Sequence, residues 1–127
     1  MYQEFIDYQE AKDLKELGFK EKCGAHYLGE EREYLELKWD IYRNMSLNMT
    51  YLIQAPVFGQ AFRFFREKYN LEGEVHCIRF NGERLKAYQY AITSNNYQKF
   101  EQMGNYDSYE EAQLECLKKL IEIAKNK

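Results

Sequence analysis

The chain is poor in the residues from which many catalytic, metal and membrane sites are built. Its 127 residues include one proline, three cysteines and two histidines. No apolar run approaches the ~20 residues needed to cross a bilayer, so no membrane association is expected. The scarcity of proline, with seven scattered glycines, leaves no linker, low-complexity tract or solenoid repeat. Residues 1–127 are therefore expected to form a single compact domain, able to bury about two-thirds of its unfolded surface. The opening MYQEFIDYQEAK lacks a basic region followed by an apolar run, and neither a secretory signal nor a transit peptide is expected. Cys23, Cys77 and Cys116 are odd in number and have no framework spacing, which argues for reduced thiols and a cytoplasmic location.

An excess of positive charge is also missing. The net charge of −3 weakens the case for non-specific nucleic-acid binding, which depends on releasing counterions to a basic surface. Catalytic signatures are sparse: there is no Gly-x-Ser-x-Gly elbow and no glycine-rich phosphate loop. Cys23-x-x-His26 begins a zinc-like spacing, but His76 and Cys77 are neighbours on a strand and point to opposite faces. No metal, cofactor or catalytic residue is expected, and the chain reads as a non-enzyme.

What the sequence does have is aromatic: 12 Tyr, 8 Phe and one Trp. Tyrosine packs its ring while keeping a polar tip, which suits half-buried surfaces and interfaces. Asp7 with Glu10 predicts a capping box for a helix over about 8–17, stopped by Gly18 with Phe19 folding back. Cys23–Leu28 and the alternating segment 34–42 predict a hairpin across Gly29–Arg32, and 43–54 reads as mostly irregular. In "APVFGQAFRFFREKYN", Pro56 suits a first helical turn, and Phe58, Ala61, Phe62, Phe65 and Tyr69 form one inward stripe. Phe64 and Arg66 flank that stripe and are candidates for touching a partner or ligand.

Asn81-Gly82 predicts a type I′ hairpin pairing Phe80 with Glu83, Arg79 with Arg84, Cys77 with Lys86 and Val75 with Tyr88. One face then carries His76, Ile78, Phe80, Leu85, Ala87 and Ala91 as core. The other, expected to be open, carries Cys77, Arg79, Arg84, Lys86, Tyr88 and Tyr90. Ser108 and Glu111 predict a second capping box, opening a helix with the apolar stripe Ala112, Cys116, Leu117, Leu120, Ile121 and Ala124. The expected fold is α+β, with three helices on an antiparallel sheet of about four strands in the order αββαββα.

The segments "EAKDLKELGFKEKC", "APVFGQAFRFFREKYNL" and "SYEEAQLECLKKLIEIAK" resemble a group of small uncharacterised proteins encoded by bacteriophages and prophages of gut bacteria. The resemblance covers about half the residues and brings no catalytic residues with it. It implies a phage-derived setting in a host cytosol, where small non-enzymatic proteins act against host machinery or host defence.

The basic and aromatic sheet face is the constellation with chemical content. Arg79, Arg84 and Lys86, with Arg66 nearby, can pair with phosphates, and Tyr88 and Tyr90 can stack on a base. This points to a small anionic ligand, and the phage-type resemblance implies that it is a nucleotide-like signal held by sequestration. The alternative is a protein-protein inhibitor, or an oligomeric module, that uses exposed aromatics such as Phe64 against a host protein or a second copy. A homo-oligomer is expected in either case.

Overall fold

The computed structural model describes residues 5–21, 23–28, 32–37, 52–79, 86–94 and 99–126. The fold is α+β. Its elements are α1 (Tyr8–Glu16), β1 (Ala25–Leu28), β2 (Arg32–Leu37), β3 (Leu52–Ala55), α2 (Phe58–Tyr69), β4 (Leu71–Arg79), β5 (Lys86–Ser94), β6 (Lys99–Tyr106) and α3 (Tyr109–Lys125). Among the described residues there are thus three helices, as expected. The strands do not form one four-stranded sheet in the order αββαββα; two antiparallel sheets form instead, ordered β2-β1-β3 and β4-β5-β6. Each expected hairpin has gained a third strand: Leu52–Ala55 pairs with β1 and Lys99–Tyr106 with β5. The end of the segment read as irregular is therefore a strand, and 43–51 lies outside the described residues. None of the described helices is long and apolar enough to cross a membrane.

The chain groups into two compact units, residues 1–61 and 62–127, with the division falling inside α2. In the first unit, α1 starts at Asp7, whose carbonyl accepts from Ala11 N at 2.9 Å. The expected capping box is absent: the Asp7 side chain makes no cap bond, and Glu10 is buried. The C-terminus matches the sequence closely. Gly18 takes φ 102°, Gly18 N donates to Lys15 O, and Phe19 N donates to Leu14 O at 2.9 Å. This doubled closure satisfies carbonyls that a helix end otherwise leaves open, and it folds Phe19 into the core. Across the sheet, Ala25, Tyr27, Ile53 and Ala55 are buried with Ile6, Ala11 and Leu14. Tyr27 places its hydroxyl on Ile6 O at 2.9 Å and its ring edge-on to Tyr8. Burial, reinforced by the charges of Asp7 and Glu10, pushes the Tyr27 phenol from an ordinary 10.0 up to about 12.

Pro56 does not sit in the first turn of α2. It precedes the helix and accepts from Ile6 N, because Phe5 and Val57 bridge there. The helix start is held by Gln60, whose Oε1 accepts from Val57 N at 3.1 Å. Along α2, Ala61, Phe64 and Phe65 are buried while Phe58, Phe62 and Tyr69 are half-buried, so the inward stripe is centred nearer Phe64 than the helical projection placed it. The helix passes to β4 through Asn70 alone, in the left-handed region at φ 58°.

In the second unit, β4 and β5 pair from Leu71↔Ser94 to Arg79↔Lys86 without interruption. This register is shifted by two residues from the one a two-residue Asn81-Gly82 turn would set, leaving 80–85, outside the described residues, between the paired strands. Because side chains alternate with period two, a two-residue shift keeps every residue on its expected face. What changes is which face is covered. A Cβ at Gly73 would come within 3.0 Å of both Cys116 Sγ and Leu120 Cδ1 of α3. The helix therefore lies on the face that carries Leu71, Gly73, Tyr90 and Ile92, all buried. On the expected core face Ala87 and Ala91 are buried as expected, but His76 is exposed and bonded to Glu74 at 3.1 Å. The α3 stripe Ala112, Cys116, Leu117, Leu120, Ile121 and Ala124 is buried throughout, each large member worth ~1.5–3 kcal/mol by its apolar area. Ser108 Oγ caps α3 by accepting from Glu111 N at 3.1 Å.

Two substitutions test this packing. Gly73→Ala inserts a methyl between strand and helix and is expected to destabilise by ~1–3 kcal/mol. Ser108→Ala removes the cap and is expected to lower stability by ~1 kcal/mol. Denaturant titrations followed by far-UV circular dichroism measure both.

Candidate functional site

Where the β4–β5 hairpin passes the start of α3, the covered face emerges into solvent. Cys77 lies on the same face as Gly73 and is exposed. Opposite it stands Tyr88, half-buried, its ring edge-on to Tyr109 with centroids 6.2 Å apart and planes at 87°. Tyr109 opens α3 and is 45% exposed, the one exposed large hydrophobic side chain among the described residues. Next along the hairpin, Arg79 and Lys86 stand directly opposite each other in the register.

Among the expected site residues, Arg79, Lys86 and Tyr88 are thus gathered at one end of one face. Tyr90 is not available with them. It is 4% exposed and stacked on Tyr106 at 6.1 Å, because it lies on the part of the face that α3 covers. The sequence signals for the hairpin span only Val75 to Ala91, within which this face carries no sign of a cover. Leu71, Gly73 and Ile92, which complete the covered surface, lie beyond those limits. Arg84 falls outside the described residues. Arg66 is exposed with its guanidinium 3.7 Å from Glu72, a residue of the opposite sheet face, so it is not gathered with Arg79 and Lys86. An exposed pair of this kind contributes ~0–1 kcal/mol.

Phe64 is likewise not an exposed interface residue. It is 9% exposed, edge-on to Phe65 and Tyr69, with the Lys68 ammonium 5.7 Å from its ring centre. The aromatic cluster along α2 closes over it. Conversely, Tyr109 and Tyr106 did not stand out in the sequence: the first reads as a helix-start residue and the second ends a strand without clear alternation.

The electrostatics of the hairpin end come from side chains. Glu110 and Glu111 occupy the first turn of α3 and offset the partial positive charge of the helix terminus. An anion there would depend on Arg79 and Lys86. Cys77 and His76 occupy opposite faces of β4 and cannot form a thiolate–imidazole pair with each other. Among the described residues, no three His, Cys, Asp or Glu side chains are arranged to hold a metal ion.

The three thiols differ sharply. Burial pushes Cys23 and Cys116 from an ordinary 9.0 up to about 12, with the Glu21 charge adding to the rise at Cys23 and a backbone bond from Glu74 opposing it at Cys116. An aromatic disulfide reagent at pH 8 is expected to modify Cys77 rapidly and the other two only after denaturation, read by absorbance. Below pH 9 the folded and unfolded chains both hold these protons. As pH rises toward 12 the unfolded thiols ionise first, so stability is expected to fall across that window, measured as a declining denaturation midpoint.

Comparison of the chain with protein-family models, curated proteins and solved structures finds no match.

Proposed function

We propose that the protein is a non-catalytic binding protein that captures a small anionic, nucleotide-like ligand at the Arg79–Lys86 end of the β4–β5 hairpin. The observation that carries this reading is the pairing of Arg79 with Lys86 on the face that holds exposed Cys77 and half-buried Tyr88. Like charges directly across a strand pair are unfavourable, and an anion between them removes the penalty. A guanidinium and an ammonium match the oxygens of a phosphate, while the exposed Tyr109 ring beside Tyr88 offers a surface on which a base can stack. In the phage-type setting suggested by the quoted segments, such binding withholds a nucleotide signal from a host defence system in the cytosol.

A docking role on a host protein uses the same exposed Tyr109 but does not require the basic pair, so charge reversal separates the two readings. Arg79→Glu with Lys86→Glu is expected to weaken binding of a cyclic or linear oligonucleotide probe at least about 100-fold, since each charged hydrogen bond contributes ~1.5–3 kcal/mol. The circular dichroism spectrum should be unchanged. Isothermal calorimetry with a nucleotide panel reads the result, supported by mass spectrometry of material released on heating. Wild-type protein that binds no member of the panel, or a double variant that binds as wild type, would overturn the assignment.

A further inference from the structure

We infer that the outer edge of β4 is a self-pairing surface, which joins antiparallel to β4 of a second copy with Val75 opposite its own counterpart. This goes beyond the ligand reading and does not depend on it. β4 is an edge of its sheet, and among the described residues no strand pairs with its outer side. Edge strands are commonly blunted by charged side chains, proline, bulges or short length. β4 carries Glu72, Glu74 and Arg79, but it has no proline, is nine residues long, LEGEVHCIR, and pairs with β5 without a register shift. The opposite edge, β6, is blunted by two register shifts and by Asn105 at φ 73°. The middle of β4 is also open to solvent, with Glu74, His76 and Cys77 exposed and Val75 half-buried.

The register follows from symmetry and charge. A two-fold axis perpendicular to a sheet keeps each residue on the same face in both copies, so only residues of equal parity can stand opposite one another. Centring on Val75 pairs the whole strand with itself, Leu71 against the second copy's Arg79. It also sets Glu74 opposite the second copy's His76, and His76 opposite the second copy's Glu74. Glu74 Oε2 and His76 Nε2 already bond at 3.1 Å within the strand, so each carboxylate would gain a second imidazole neighbour. Centring on residue 74 opposes two glutamates and leaves 78 and 79 without counterparts. Centring on residue 76 opposes two histidines and leaves 71 and 72 without counterparts. Full pairing and the placing of an imidazole opposite each carboxylate select the same register.

Multi-angle light scattering after size exclusion is expected to give about twice the 15.4 kDa of one chain. Glu74→Lys and His76→Glu should each weaken the dimer at least about tenfold, because each removes the carboxylate–imidazole match and two-fold symmetry applies the change twice. Thermal melts and circular dichroism check that each variant folds. Combining the two substitutions sets an ammonium opposite a carboxylate at both places and is expected to restore the dimer, a recovery that non-specific damage to the strand would not produce. A wild-type monomer at high micromolar concentration, single variants that associate as wild type, or a combined variant that stays monomeric would each overturn the proposal.

Discussion

The second unit depends on the close approach of α3 to β4 at Gly73. A side chain there would meet Cys116 Sγ and Leu120 Cδ1 at 3.0 Å, tighter than ordinary van der Waals contact. The missing Cβ lets the helix settle onto the strand, and that seating decides which sheet face is dry. Once it is made, Leu71, Tyr90 and Ile92 are core, and His76 and Glu74 are left to solvent. The helix begins at Tyr109, so residues farther along the same face emerge beyond it. Cys77, on the same face, is exposed because α3 starts where it does.

The helices were legible because their signals are local. Gly18 and Phe19 close α1 through bonds within a few residues, and the apolar stripe of α3 is buried at every expected position. The outer strands were harder to see. In Leu52–Ala55 the pattern runs on from an Asn- and Ser-rich stretch, and Lys99–Tyr106 contains Gly104, the left-handed Asn105 and two register shifts that break alternation. Their pairing is a long-range event that no short window records. The cap at Asp7 shows the converse: the motif is present in sequence, but Glu10 is drawn into the protein interior.

The candidate site was partly legible because strand parity survives a two-residue slip. Arg79, Lys86 and Tyr88 stay on one face although every pairing partner changed. Which face was covered could not be read from hydrophobicity alone, since glycine adds nothing to an apolar count yet Gly73 marks a close approach of helix and strand. That is why Tyr90 moved from the expected surface into the core, and why His76 moved the other way. Phe64 was displaced by a subtler effect. Neighbouring aromatics at positions 65 and 69 pack against it across the helix surface, so a residue at the edge of the projected stripe is buried rather than exposed.

The asymmetry between the two edges of the second sheet bears on how large any assembly can grow. Strand addition propagates when a newly joined copy presents another edge like the one just used, which is how filaments extend. Here the unbroken strand lies on one side only, and the kinked β6 lies on the other. Union through the regular edges consumes both at once and turns only kinked strands outward. Growth by that route closes at two copies, and the twisted outer strands act as terminators.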